Sequence, residues 1–217
     1  MKVDVYRDFA CPWCRLSAHR FERAVTEAGM EGDVELVHRP FRLDPEADGT
    51  EDPVPLLDAM AGVFGSRQQA ETMLHGMTLL GAAEGVEFRF DQALAVGTLP
   101  AHRLMWFAAR HYPADTVAAL ATAVFDAHFR DGHNIADHAE LARLAEASGI
   151  DGATAKEFLA SGEGTAEVRE QAAAARLNGV SAVPTYVFPG GETVSGAAET
   201  DVLIGALNRA RATHDQN

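Results

Sequence analysis

Sulfur is scarce in this 217-residue sequence, which holds only two cysteines, Cys11 and Cys14. Two cannot staple a small secreted scaffold, and a structural zinc asks for about four ligands at regular spacing. Positive charge is scarce as well. Lysine stands only at positions 2 and 156, and 18 basic residues face 32 acidic ones for a formal net charge of −14. That balance argues against nucleic acid and anionic membrane as partners. No apolar run reaches the roughly 18 residues of a membrane span. A basic-then-apolar leader is missing too, so the expected place of work is the reducing cytoplasm, where a disulfide is transient and catalytic. Internal repeats and low-complexity linkers are absent, and the oligomeric state is left open.

What is present is a chain with 47% hydrophobic residues, enough to bury a substantial core in one large domain or two small ones. Both cysteines fall in Asp8-Phe9-Ala10-Cys11-Pro12-Trp13-Cys14, between an alternating run with Val3 and Val5 and an amphipathic segment. Strand, C-x-x-C, helix is a setting for redox chemistry rather than metal binding. With Pro12 in the first helical position, Cys11 becomes the N-cap, and the amides of Trp13 and Cys14 point back at its sulfur. Those amides and the helix dipole favour thiolate, bringing an ordinary thiol near 8.5 down to roughly 3.5–7 in such motifs. Cys14, one turn in, suits a resolving thiol that attacks the mixed disulfide formed on Cys11. Trp13 is expected to be exposed as an apolar platform for substrates.

Along the chain, residues 2–8 read as a strand, 11–28 as a helix and 34–37 as a second strand, parallel to the first across a helical crossover. Pro40 and Pro45 then end regular structure. From about 46 to 162 the texture is helical: 53–64, a helix opened by a Ser66/Gln69 capping box, 100–111, 114–130, a helix opened by an Asp137/Glu140 capping box, and 151–160. A further helix runs to Asn178-Gly179, two strands at 185–188 and 192–195 flank Pro189-Gly190-Gly191, and 199–212 closes the chain as a helix. The tail 213–217 reads as frayed. This gives an α/β fold of three stretches: 1–45 and 163–217 forming one domain, and 46–162 an all-α insertion.

Val183-Pro184-Thr185 stands before the third strand. A cis bond there would let Pro184 lie against the cysteine loop and leave Val183 to bind an extended substrate backbone beside Cys11; a plain strand-start proline is the other reading. Taken together, C-P-W-C after a first strand, Arg39-Pro40-Phe41-Arg42-Leu43-Asp44-Pro45, Ala101-His102-Arg103, Phe125 to Phe129 with Asp131-Gly132, and Gly179 to Thr185 with Ser195-Gly196-Ala197 resemble the DsbA-like thioredoxin superfamily, in its FrnE-like branch. The resemblance implies a thioredoxin fold with a large all-α insertion, a cis Pro184, Cys11 as nucleophile and Cys14 as resolver. Its implied activity is thiol–disulfide exchange on protein or small thiol substrates, with no tightly bound cofactor and glutathione as a candidate reductant or ligand. Kappa-class glutathione transferases and 2-hydroxychromene-2-carboxylate isomerases share the insertion but carry serine in place of the first cysteine, and they supply a second reading. A redox-silent polypeptide-binding module is a third. Two positions depart from the branch: Gly97, usually Asn, and His128, usually aromatic. Both bear on substrate recognition.

Several further residues are candidates. Asp8 is either a proton acceptor for Cys14 or, more commonly for such a position, a solvated strand-end or capping aspartate. His38 and His102 are candidate groove residues, with backbone-satisfied histidines as the commoner alternative. His128, Asp131, His133, Asp137 and His138 are ligand-rich but lack a recognised metal spacing. Trp106 and Phe107 read as core.

Overall fold

The structure, a computed structural model, describes residues 1–214. Two compact units divide the chain: Met1–Leu43 with the chain from Ala166 onward, and Asp44–Thr165.

In the first unit, β1 (Lys2–Arg7) alternates, sending Val3, Val5 and Arg7 to one buried face. Helix α1 (Pro12–Glu27) then crosses over, and β2 (Glu35–Pro40) returns parallel to β1, with Val5 opposite His38 and Arg7 opposite Pro40. After the second unit the chain re-enters through α8 (Thr165–Leu177), β5 (Thr185–Val187), β6 (Thr193–Ser195) and α9 (Thr200–His214). Strand β5 lies antiparallel to β1, pairing Tyr186 with Val5, and β6 lies antiparallel to β5. The sheet order is β2-β1-β5-β6. Its core joins Val3, Val5, Phe21, Met30, Tyr186, Phe188, Leu203 and Leu207, and the Phe21 and Tyr186 rings stack with centroids 4.9 Å apart. A β-α-β half followed by an α-β-β-α half, interrupted by a helical segment, is a thioredoxin fold carrying a helical insertion.

The second unit holds α2 (Leu56–Phe64), α3 (Arg67–Glu84), α4 (Leu99–His111), α5 (Ala114–Phe129), α6 (His138–Ala147) and α7 (Gly152–Ser161). Its core includes Leu104, Met105, Leu120, Phe125, Phe129, Leu141 and Leu159, all fully or nearly fully buried. It is not purely helical. β3 (Val54–Pro55) and β4 (Leu94–Ala95) form a two-residue antiparallel ladder, so helix α2 starts at Leu56 rather than 53. A ladder this short has no alternation to read, which is why residues 53–55 look helical in the sequence.

Both expected capping boxes are half made. Ser66 caps α3 by accepting the Gln69 amide at 3.2 Å, and Asp137 caps α6 by accepting the Ala139 amide at 2.8 Å. The Glu140 carboxylate turns instead to Arg143 and His133. The C-terminal helix extends past the expected 212 to His214, and of the tail expected to fray, residues 215–217 lie outside the described residues.

The two positions that depart from the branch are packing positions in this chain. A Cβ on Gly97 would sit 2.2 Å from the Gly49 amide nitrogen and 2.3 Å from the Ala47 carbonyl oxygen. His128 is buried edge-on against Phe129, with ring centroids 4.4 Å apart. Gly97→Ala is therefore expected to destabilise the protein by about 1–3 kcal/mol, the usual cost of overpacking against backbone that cannot yield. Gly76→Ala is the matched control: the site is exposed, inside α3, with nothing within 4 Å of the added Cβ. It should stabilise by about 0.5–1 kcal/mol. Urea midpoints of the two variants moving in opposite directions would check both expectations.

Candidate active site

The site begins where β1 ends. The Cys11 amide donates to the Asp8 carbonyl at 3.2 Å, turning the chain into α1. Cys11 is the N-cap in an extended conformation and Pro12 opens the helix, while the Cys11 carbonyl accepts the amides of Cys14 at 3.0 Å and Arg15 at 3.3 Å. Pro12 thus occupies the position where its missing N–H costs nothing. Both cysteines are free thiols in this structure, Cys11 being 6% exposed and Cys14 1%, whereas Trp13 between them is 43% exposed.

The two sulfurs differ in acidity. Cys11 is held below the ordinary thiol value, first because the Cys14 thiol donates to its sulfur and then because the Cys14 and Trp13 amides point at it. Burial and the Asp8 charge act in the opposite direction. No side-chain cap hydrogen bond of ordinary geometry closes at this N-cap. The amides act on the diffuse sulfur as oriented dipoles rather than as partners in one short bond. Cys14 is pushed well above the ordinary value, mainly by burial, then by its own bond to Cys11 and the charge there. One sulfur is poised to ionise and the other to keep its proton.

The second half of the site comes from the start of β5. The Val183–Pro184 peptide bond is cis, and the Val183 carbonyl oxygen lies 3.8 Å from the Cys11 sulfur, which as a thiol donates to it. The Pro184 carbonyl accepts the Gly196 amide at 2.7 Å. Arg20, buried on α1, holds the next residues of that turn, donating to the Ala197 carbonyl at 2.6 Å and pairing with Glu199 at 3.0 Å. The helix that carries the cysteines therefore also fixes the turn that supports Pro184.

Asp8 is not a solvated strand end. It is 1% exposed, and its carboxylate accepts the Leu43 amide at 2.6 Å. Beneath α1 lies a buried polar set that the sequence reading did not single out. Arg7 Nε donates to His38 Nδ1 at 3.0 Å, and the Ser17 hydroxyl donates to the Tyr186 hydroxyl at 3.1 Å. The signal for Arg7 was its place in the inward alternation after Val3 and Val5, where an apolar residue is the norm. His38 accepts from the Arg7 side chain at Nδ1, and His102 is fully buried in the other unit. Trp106 is only partly buried, stacked between Arg110 and Phe158, while Phe107 is core. His133 Nδ1 lies 2.7 Å from Glu140, which Arg143 also holds. Among the described residues no three His, Cys, Asp or Glu come together in a metal-binding group.

The acidity difference has a direct readout. In the reduced protein, iodoacetamide is expected to modify Cys11 at least about tenfold faster than Cys14 near neutral pH, one unit of acidity being worth about that factor in thiolate. The Cys11 rate should persist as pH falls below the range in which a free cysteine stops reacting. Peptide mapping of the two labelled sites against pH checks this, and equal rates would contradict the described asymmetry.

Comparison with known proteins places this geometry. The family model described as DSBA-like thioredoxin domain matches residues 2–208. An uncharacterized Bacillus subtilis protein, YwbO, is 30% identical over 212 residues, covering 95% of each chain. The crystal structure of a Streptomyces coelicolor protein described as a probable DsbA oxidoreductase superposes with a TM-score of 0.87 at 31% identity, covering 98% of this chain and 90% of that one. DsbM of Pseudomonas aeruginosa, described as a cytosolic disulfide reductase and also solved with GSH, shares the fold at a TM-score of 0.60 and 16% identity, covering 100% of this chain and 98% of that one.

Proposed function

The chain belongs to the DSBA-like thioredoxin domain family, and from that membership we propose that it is a thiol–disulfide oxidoreductase acting through Cys11 and Cys14. The observation that carries the proposal is the placement of the pair: Cys11 at the start of α1 beside the Val183 carbonyl, with Cys14 buried one turn in. The Cys11 thiolate attacks a substrate disulfide, forming a mixed disulfide and releasing one substrate thiolate, which takes a proton from water. Cys14 then gives up its proton to water and attacks the Cys11 sulfur, forming the Cys11–Cys14 disulfide as the bond to the substrate breaks and the second substrate thiolate departs. Two electrons pass from the dithiol to the substrate. Two equivalents of a small thiol such as glutathione restore the reduced pair, becoming a disulfide themselves.

Val183 beside Cys11 and the exposed Trp13 suit an extended, partly apolar polypeptide, with small disulfides as simpler substrates. The cytoplasm is the compartment in which a transient pair of this kind works as a reductant. The similarly folded DsbM, described as cytosolic and seen with GSH, supports glutathione as the donor. A glutathione-activating transferase or isomerase of the kappa type would leave Cys14 without a role, and a redox-silent binding module would leave both cysteines without one.

Insulin reduction driven by dithiothreitol or glutathione tests the proposal on wild type, Cys11→Ser and Cys14→Ser. Turnover should fall to background in Cys11→Ser, whereas Cys14→Ser should accumulate mixed disulfides visible by mass spectrometry and lost on reduction. Three proteins of equal activity would remove the oxidoreductase reading.

A further inference from the structure

The resolving sulfur raises a problem that the cysteine loop solves only in part. Cys14 must lose a proton before it can attack, yet burial holds its thiol well above the ordinary value, and the charges at Cys11 and Asp8 add repulsion that the Asp8 backbone amide only partly offsets. A neutral or negative surrounding would make this step slow, because a charged sulfur in a low-dielectric interior needs an opposite charge.

The fold places one there. Strand β1 sends Val3, Val5 and Arg7 to the face that α1 covers. On α1 the buried residues include Cys14, Ser17 and Phe21, at the spacing of one helix face. Phe21 stacks on Tyr186, and Ser17 bonds its hydroxyl. Tyr186 in turn lies opposite Val5. One turn back towards the start of α1 is Cys14, and one inward step further along β1 is Arg7. These displacements, about 4.5 Å along the helix and about 6.6 Å along the strand, run in the same direction because the two elements are antiparallel across the turn.

Arg7 is buried, and its guanidinium is fixed because Nε donates to His38 Nδ1 at 3.0 Å. Accepting at Nδ1 leaves the His38 proton on Nε2, so the imidazole is the neutral tautomer. Phe9 packs on that ring, with centroids 5.6 Å apart, and steadies it.

Building on the oxidoreductase reading, we infer that Arg7, anchored by His38, is a positioning residue that stabilises the Cys14 thiolate during its attack on the mixed disulfide. Charge attraction between Arg7 and Cys14 accompanies this placement, and Tyr186 and Glu22 act on Arg7 as well. The ionisable and charged groups around the pair include Cys11 and Asp8 from the loop, Tyr186 from β5, His38 from β2 and Glu22 from α1. No proton passes to or from Arg7, since a guanidinium stays charged throughout. The Cys14 proton goes to water, and the positive charge stabilises the sulfur anion left behind.

Reaction of the reduced full-length protein with 5,5′-dithiobis(2-nitrobenzoate) separates the steps in time. Attack by Cys11 releases one thionitrobenzoate, and attack by Cys14 on the resulting mixed disulfide releases the second. Stopped-flow traces of both phases across pH would be compared for wild type, Arg7→Met and Arg7→Lys. In Arg7→Met the second phase is expected to slow by about tenfold or more at neutral pH and to shift its profile upward by about one pH unit. The first phase should be unchanged, and Arg7→Lys should recover most of the second. A second phase in folded Arg7→Met with the wild-type rate and profile would overturn the inference, as would equal slowing of both phases. Should Arg7→Met not fold, His38→Phe removes the acceptor and keeps the ring. The second phase must then slow selectively, and a wild-type rate overturns the inference. A wild-type protein with no second phase at all would instead sink the oxidoreductase reading.

Discussion

The unequal acidity of two buried sulfurs one helical turn apart is the constraint on which the site depends. Cys14 keeps its proton because burial penalises its anion, and a protonated Cys14 favours charge on Cys11. The same burial that disables one thiol thereby sharpens the other. Pro12 makes this geometry available by starting α1 immediately after Cys11, which sets the second cysteine one turn away on the inward face. Moving the helix start by one residue would swing that sulfur by about 100° around the axis and away from Cys11.

Every residue described at the site comes from the first compact unit: β1, α1 and β2 before the insertion, and β5 with its following turn after it. Two stretches far apart in sequence must therefore meet. Arg20 and Gly196 supply the connection, one reaching from α1 to the Ala197 carbonyl and the other tying that turn to Pro184. A buried arginine that satisfies backbone carbonyls is a costly group to lose, since removing it strands acceptors as well as deleting a charge. The acid–base geometry needs no group from the helical unit, whose own order is decided by contacts such as the close approach of Gly97 to Ala47 and Gly49.

Much of this was legible in the sequence, and the pattern of what was not is instructive. Alternation in β1, the proline inside C-P-W-C and the periodic helices gave the element order, because each rests on local spacing. Trp13 was legible as exposed because it follows Pro12 on the first turn, facing away from the sheet. Residues 54–55 and 94–95 were not, since a two-residue ladder is made by tertiary contact alone. Of the readings for Asp8, solvated strand end, cap or proton acceptor, the solvated one fails for a related reason. Its partner, the Leu43 amide, lies 35 positions away, and no local pattern announces it. The reciprocal half of the Asp137 capping box failed because Arg143 and His133 compete for the same Glu140 carboxylate.

Arg7 belongs to this last group of residues, whose meaning is tertiary, and its energetics narrow what it is there for. Taking a guanidinium out of water costs on the order of several kcal/mol even after relaxation, and an apolar residue at the third inward position of β1 would avoid that cost. The bond to His38 offsets part of it, yet His38 is itself a polar group drawn into the same buried layer. A purely structural account has to explain why two polar side chains sit where Val3 and Val5 set an apolar precedent. The account that links them to Cys14 does not, because a sulfur that must become an anion inside a protein gains from a fixed, buried cation beside it.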